Sequence, residues 1–377
     1  LSERLDLVTL IDRHVPKRGR GPSVGTYLLV GTINRCVAPC SKAAISSWFD
    51  STVLRRLVDI ESHQLSSQRF WDNMDRVSEE AIRAIESDLT ARAVSEFGLH
   101  VDRLLFDATN FFTFIDSFND GCSLAQRGKN KEGRAALRIV GLALLVTADH
   151  HVPLLHETYP GNQSDAPTFA GLSERIASRC RSLTQGVEHV TLVFDKGNNS
   201  QDNLDAVEAA PFHFVGSLVP TQHSELLKIE RSEMRPLDDE GLPGVWSRRT
   251  SKKVFGYDRT VLVTYNDNLL VAQARTLLRE ISKRQQKLRE LQAKLDTYRA
   301  GGRRGRRPTV AGVRKKVSGW LAARHMKDLF VVDISERDGL PHLSYRFSEE
   351  AWSDLQATLL GKTILFTDND QWSDTEI

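Results

Sequence analysis

The chain has 377 residues, of which 40% are hydrophobic and 27% are charged, a composition typical of a globular protein with two or three domains. It has no apolar run of the 18 or so residues that a membrane span needs and no secretory signal peptide, so we expect a cytoplasmic protein without a membrane partner. Its four cysteines are scattered, at Cys36, Cys40, Cys122 and Cys180. Cys36 and Cys40 could share a helix face, but no second ligand pair follows at zinc-like spacing, and we expect reduced thiols.

The formal net charge is only +2, but it is unevenly distributed. Residues 271–327 carry seventeen basic and three acidic side chains, a local charge of +14 that leaves −12 for the rest of the chain. This asymmetry indicates a polyanion partner. A solvated helix followed by a basic linker would give the same composition.

The first hundred residues are predicted to be mostly helical. Apolar residues recur at helical spacing from Ser78 to Phe97, and similar patterns occur in 25–38, in 41–49 after a possible N-cap at Ser41, and over 54–60. This region could be a DNA-binding helical domain or a structural cap, and the sequence does not decide between them.

Two apolar runs that read as buried strands each end in a phenylalanine followed by an aspartate. Leu104, Leu105 and Phe106 lead into Asp107, and residues 190–194 lead into Asp195. A single aspartate at the end of a strand could simply cap the next turn. Two of them on neighbouring strands could hold a divalent metal, because buried carboxylates need a partner that compensates their desolvation.

The element order from residue 101 predicts the fold. Three strands, near 104–112, 137–148 and 152–161, are followed by a helix from Ser164 or Asp165 through Ala177, a strand to Asp195, a helix over 201–209 and a further strand over 213–220. A meander of three strands followed by alternating helices and strands fits a ribonuclease H-like mixed α/β sheet. In that sheet the first and fourth strands are parallel neighbours, which would bring Asp107 and Asp195 together. The predicted division is a helical region over 1–100, a catalytic core over 101–220 and an inserted α+β region over 221–377.

The inserted region is predicted to contain a hairpin near 244–266, one long helix over 269–298, a basic link, a second helix and three strands. Leucines and an isoleucine over 277–295 form a near-heptad seam interrupted by Arg284. The seam could serve dimerisation or packing within the inserted region.

Three motifs of this sequence occur together in one known class of enzyme. FDATNFF, RGKNKEGR with GLALLVTADHHVPLLHETYPGNQSD, and VTLVFDKGNNS resemble, in order and spacing, the core of bacterial insertion-sequence transposases of the DDE class. The branch is the one whose ribonuclease H-like core is interrupted by a domain inserted after its fifth strand. The resemblance covers residues 100–220 and identifies Asp107 and Asp195 with the first two catalytic acids.

The third acid of that class is a glutamate on a helix beyond the inserted domain, within a Tyr-x-x-Arg-x-x-x-Glu pattern with a lysine beyond. Arg346 and Glu350 have the inner spacing, but Leu343 and Ala357 occupy the tyrosine and lysine positions. The final residues, TILFTDNDQWSDTEI, resemble the strand and turn that precede the missing helix. We therefore expect the chain to stop before the third acid and to be inactive as it stands.

The resemblance implies a DNA transposase in which Asp107 and Asp195 bind Mg²⁺ or Mn²⁺ for cleavage and strand transfer at insertion-sequence ends. It implies double-stranded DNA as the partner (transposon ends and target), a possible homodimer on DNA, and a nucleoid-associated location. The candidate DNA-binding residues are Arg127, Lys129, Lys131, Lys196, Arg303, Arg304, Arg306 and Arg307. Lys196 could equally be a solvated side chain.

Two other functions fit the same motifs. A stand-alone metal-dependent nuclease would share the acids without joining strands. A non-catalytic DNA-binding remnant of a transposase would keep the basic surfaces alone.

Overall fold

The computed structural model describes residues 1–16, 19–116, 119, 121–128, 134, 136–163, 165–183, 189–209, 212–302 and 307–377. The chain divides into two compact units, Leu1–Phe214 and Val215–Ile377. The helical region and most of the core predicted from the sequence lie together in the first unit. In the described ranges, no helix is both long and apolar enough to cross a membrane.

The first hundred residues are mostly helical, as predicted. The helices are α1 (Leu7–His14), α2 (Val24–Val37), α3 (Ile45–Asp50), α4 (Leu54–Leu57), α5 (Ser67–Met74) and α6 (Glu79–Phe97). The hydroxyl of Ser78 caps α6 by accepting the Ala81 N–H at 3.2 Å, and Gly98 ends the helix in the left-handed conformation with φ of 59°.

Two local predictions in this region were wrong. The amphipathic pattern over 54–60 forms only the single turn of α4, and Leu57 is 73% exposed because the chain turns away before a second turn can bury it. Cys36 and Cys40 do not share a helix face, since α2 ends at Val37 and the Asn34 side chain binds the Cys40 backbone and sulfur.

The predicted order of strands and helices in the core is confirmed. The elements are β1 (Arg103–Thr113), β2 (Arg138–Thr147), β3 (Pro153–Pro160), α7 (Asp165–Leu183), β4 (Thr191–Phe194), α8 (Gln201–Glu208) and β5 (His213–Ser217). Their strands lie in the order β3-β2-β1-β4-β5, with β1 antiparallel to β2 and parallel to β4. This is the strand arrangement of a ribonuclease H-like sheet. The helix α7 extends beyond the predicted end at Ala177.

Alternation along the core strands produces one strongly buried face. Leu104, Phe106 and Ala108 of β1 are buried, and the residues between them are more exposed. On β4, Phe194 is buried and its ring stacks on that of Phe214 at 5.6 Å. The hydrophobic face therefore fixes which residues of β1 and β4 point toward solvent.

A buried ionic network joins α6, α7 and β3. The carboxylate of Glu86 accepts the His156 N–H at 2.7 Å, is bonded by the His156 ring, and accepts Arg179 Nη2 at 3.0 Å. The other amine of that guanidinium, Nη1, donates to the Thr90 hydroxyl at 3.1 Å. The side chains of Arg179 and Glu86 are only 9% and 11% exposed. The network therefore ties the helical region to the edge of the sheet.

The second unit, described by itself, contains several paired strands and a separate two-stranded hairpin. Its elements are α9 (Ser224–Leu227), β6 (Arg235–Pro236), β7 (Val245–Val254), β8 (Tyr257–Asn266), α10 (Asp267–Arg299), α11 (Val310–Leu321), α12 (Met326–Leu329), β9 (Phe330–Arg337), β10 (Leu340–Phe347), α13 (Glu349–Thr358) and β11 (Lys362–Thr367). Residues 215–217 of β5 pair with β11, from which the strands follow in the order β8-β7-β6, and β9 pairs with β10 in a second sheet. The predicted hairpin, long helix and three later strands are confirmed.

The apolar seam of α10 is used inside the second unit. Ile281, Leu288, Leu291 and Leu295 are buried in one cluster with residues of α11, α12, β9 and β10. Arg284, which interrupts the seam, pairs with Glu280 and donates to the Trp320 carbonyl at 3.2 Å. Of the two uses considered for the seam, packing within the inserted region is the one observed.

Candidate functional site

The register of β1 and β4 places the two aspartates side by side. Leu104 pairs with Leu192 and Phe106 with Phe194 in parallel register, so the next residues are Asp107 and Asp195. Neighbouring strands are about 4.8 Å apart. Since both phenylalanines point into the core, strand alternation puts both aspartates on the opposite face, where both are exposed.

The contacts of the two aspartates leave them accessible to solvent. Asp107 Oδ1 accepts the Ala108 N–H at 2.8 Å. Asp195 ends β4 and precedes a 3₁₀ turn over Lys196–Asn198, and Lys196 Nζ lies 3.9 Å from its Oδ1. The Asp195 side chain is 61% exposed and that of Lys196 is 52% exposed. A pair this exposed is screened by water and adds little stability, so neither side chain is held in place mainly by the other.

A buried amide pair supports the turn that follows Asp195. The Asn203 side chain donates to the Asn198 carbonyl at 2.6 Å, and the Ser200 hydroxyl caps α8 by accepting the Asn203 N–H at 3.2 Å. Both asparagines are almost fully buried, at 3% for Asn198 and 1% for Asn203. The sequence did not predict these positioning residues, because the polar run DKGNNSQDN indicates a turn after the strand without indicating which amides are buried.

Carboxylate oxygens are the ligands that Mg²⁺ and Mn²⁺ prefer, and the aspartate pair offers up to four of them at one strand end. Within the part of the chain that the structure describes, no group of three or more His, Cys, Asp and Glu side chains is placed to hold a metal ion. The donor set of the pair therefore fits a hard divalent cation that keeps other positions for water or a phosphate oxygen.

A basic segment is attached to the sheet beside β2. Gln126 and Ile139 exchange both backbone hydrogen bonds, at 3.0 and 2.8 Å, and the Gly161 N–H donates to the Leu124 carbonyl at 3.1 Å. Gly128 lies so close to the Gly161 backbone that a Cβ there would be 1.9 Å from the carbonyl oxygen. This packing fixes the exposed Arg127 at the edge of the sheet. Lys129 and Lys131 lie outside the described residues.

The second unit carries the other predicted basic surface. Exposed cations follow α10 and α11, at Arg275, Arg279, Lys283, Lys287, Arg289, Lys294, Arg314, Lys315 and Lys316. A groove of about 640 Å³ between the two helices is lined by Lys294, Arg307 and Lys316 above an apolar floor. Arg307 donates to the Gly339 carbonyl at 2.9 Å, and Arg303, Arg304 and Arg306 are outside the described residues. We name the exposed cations of α10 and α11 the basic face.

Comparison with known proteins finds likeness in structure and none in sequence. No protein-family profile and no curated protein matches the chain. The chain is similar to a piggyBac transposase in a synaptic complex with hairpin DNA, with 13% identity and a TM-score of 0.34 over 70% of this chain and 55% of that one. It is also similar to Mos1 transposase in a paired-end complex with a left transposon end, with 11% identity and a TM-score of 0.20 over 52% of this chain and 60% of that one. The chain spans 55–60% of the length of these two transposases, and scores of this size support no inference about function.

Proposed function

We propose that this chain is a transposase-type DNA-binding protein whose Asp107 and Asp195 form a divalent-metal site for phosphodiester chemistry. The observation that carries the proposal is the parallel register of β1 and β4, which brings two exposed carboxylates to the same end of adjacent strands. The three motifs that resemble DDE-class transposases support it independently.

In this proposal the chain's own residues have distinct tasks. Asp107 and Asp195 hold the metal, and the Asn198–Asn203 pair keeps the turn after Asp195 in place. Bound there, Mg²⁺ or Mn²⁺ would activate a water or 3′-hydroxyl and stabilise the leaving oxygen. Lys196, adjacent to Asp195, would contact a phosphate. The basic face and Arg127 would contribute sequence-independent affinity for the DNA backbone.

We further propose that the chain binds DNA but does not cleave it alone. Phosphoryl transfer through two metals needs both ions fixed around the attacking and leaving oxygens, and two carboxylates hold them loosely. No third acidic side chain joins the pair among the described residues. This favours a non-catalytic DNA-binding function as the second candidate.

Metal binding provides the first test. Mn²⁺ titration followed by electron paramagnetic resonance should show a site that Asp107→Asn and Asp195→Asn each weaken by at least tenfold. Asp202→Asn, which removes an exposed carboxylate from the first turn of α8, should leave it unchanged. If all three variants bind Mn²⁺ equally, the aspartate pair is not the metal site.

DNA assays provide the second test. The chain should bind duplex DNA with an affinity that falls steeply as salt rises, and it should neither nick nor join strands in Mg²⁺ or Mn²⁺. If the chain cleaves DNA and Asp107→Ala abolishes that cleavage, the proposed inactivity is wrong and the enzymatic function is supported. In that case a strand-transfer assay with paired transposon ends would separate a transposase from a stand-alone nuclease. Absence of any DNA binding would refute both candidate functions.

A further inference from the structure

The strand that carries Asp107 also exposes an aromatic ring. β1 continues to Thr113, and Phe111 within it is 46% exposed, although burying a phenylalanine is worth about 1.5–3 kcal/mol. The strand is paired with β2 at every position from Leu104 to Thr113. Phe111 is therefore presented to solvent by a continuously hydrogen-bonded segment, which would lose little conformational freedom on binding a ligand.

Strand alternation places this ring on the face of the aspartates. Residues 107, 109 and 111 point to the same side of β1, and all three are exposed. Four residues of strand separate Phe111 from Asp107 by about 13 Å, which corresponds to a few nucleotides of a DNA strand. A strand with its scissile phosphate at the aspartate pair could therefore bring a nearby base to Phe111.

Cations lie near this end of β1 on both faces of the sheet. Arg138 of β2 pairs with Thr113, which lies on the same face as Phe111. Phe112 points to the other face, where the Arg134 guanidinium lies 5.4 Å from its ring centre. Phe112 pairs with Ile139, and Ile139 also pairs with Gln126, which precedes the exposed Arg127. An exposed aromatic ring on a strand with nearby cations is typical of surfaces that bind single-stranded nucleic acid, where rings stack on bases and cations follow the backbone. This charge pattern favours a polyanion over an apolar protein surface.

We infer that Phe111 is a stacking site for an unpaired base of the DNA strand that the aspartate pair engages. The inference rests on the proposed function and adds a ligand preference to it. Bases inside a duplex already stack on both faces, so only an unpaired base can place a face on this ring. The chain should therefore prefer duplexes that carry a single-stranded tail over blunt duplexes.

Fluorescence titration with two oligonucleotides tests this preference. One is a blunt duplex, and the other is the same duplex with a tail of about four nucleotides containing 2-aminopurine. Base–aromatic stacking corresponds to about 5- to 150-fold in affinity per base, so Phe111→Ala should weaken tailed binding about tenfold and leave blunt binding unchanged. Phe111→Trp should retain tailed binding and quench the 2-aminopurine. The matched control is Phe114→Ala, which removes a ring that is 85% exposed just beyond β1.

The outcomes separate this inference from the proposed function. If Phe111→Ala leaves the affinity for both oligonucleotides unaltered, or lowers both affinities equally, the stacking site is overturned while the DNA-binding proposal stands. An equal loss of tailed binding in Phe114→Ala would also overturn it, because the preference would then not arise on the aspartate face. Loss of a dimer in Phe111→Ala without a change in tail preference would assign the ring to self-association instead. If the wild-type chain binds neither oligonucleotide, the proposed function fails and the inference fails with it.

Discussion

Replacing Glu86 with glutamine should destabilise the first unit substantially. The substitution preserves the side-chain shape but leaves the Arg179 guanidinium, 9% exposed, without its charge partner. Breaking a buried ion pair by removing one member costs about 3–5 kcal/mol, and both side chains here are buried enough for that range to apply. A loss of 1 kcal/mol lowers the midpoint of thermal unfolding by about 2–4 °C in a domain of this size. Glu86→Gln should therefore lower it by about 6–20 °C.

Urea unfolding followed by circular dichroism would measure this loss within a double-mutant cycle. Arg179→Met should also lower the free energy of unfolding. The loss in the double variant should be smaller than the sum of the two single losses by at least about 1 kcal/mol, because the second substitution removes a charge that is already unpaired. The matched control is Arg83→Met on the same helix. Its pair with Glu79 at 3.8 Å is exposed, and its loss should cost less than about 0.5 kcal/mol. A cost below about 1 kcal/mol for Glu86→Gln, or additive losses in the cycle, would refute the reasoning.

The same carboxylate should make the network sensitive to acid. Burial by itself would raise the pKa of Glu86, but the hydrogen bonds from His156 and the charges of His156 and Arg179 outweigh it and hold that pKa below its usual range. The unfolded chain then takes up the proton more readily than the folded one. The stabilisation is complete above the unfolded pKa of about 4.3 and is lost as pH falls through the lower folded pKa. The difference between wild type and Glu86→Gln should therefore shrink when the unfolding measurements are repeated below about pH 4.

Three further results are expected. Burial raises the pKa of the Cys180 thiol to about 11, so Ellman's reagent at pH 8 should modify the exposed Cys36 in the folded chain and spare Cys180; equal rates would contradict the burial. Lys362→Met should lower the free energy of unfolding by about 2 kcal/mol or more, because the buried ammonium donates to two backbone carbonyls at 2.6 and 2.8 Å that would lose their donor. Chemical unfolding would measure this loss, and Lys253→Met, at an exposed position, should cost almost nothing. Neutralising Lys294, Lys315 and Lys316 of the basic face should reduce the log–log salt slope of DNA binding by about 2.7 in total. An unchanged slope would show that the basic face is a solvated surface that does not contact DNA.

The core fold was predictable because its pattern is redundant. Two buried-strand signals that end in Phe-Asp, three strands in a meander and two intervening helices leave few topologies, and the parallel pairing of β1 with β4 follows from them. The same order predicted which carboxylates become neighbours. The residues that support the aspartates were less predictable, since nothing in a polar run such as NNSQDN states which amides will be buried.

Long-range partners account for most of what the sequence did not predict. Glu86, His156 and Arg179 are separated by more than twenty residues at each step and carry no local pattern, so their network could not be found from spacing. The seam of α10 was visible, but its partner was not, because a heptad-like stripe looks the same whether it packs within its own chain or on a second copy. The short α4 shows the opposite error, where apolar spacing predicted a longer helix than tertiary packing allows.

The pairing of β5 with β11 has a consequence for how this architecture can change. Val215 and Thr367 are partners in antiparallel register, so the excursion of chain between them begins and ends on one rung of the ladder. The two ends of the excursion are therefore separated by only about 5 Å, however much chain lies between them. Because closing a longer loop adds little entropic cost, the loops of the intervening segment can lengthen or shorten while the pairing of Val215 with Thr367 stays unchanged.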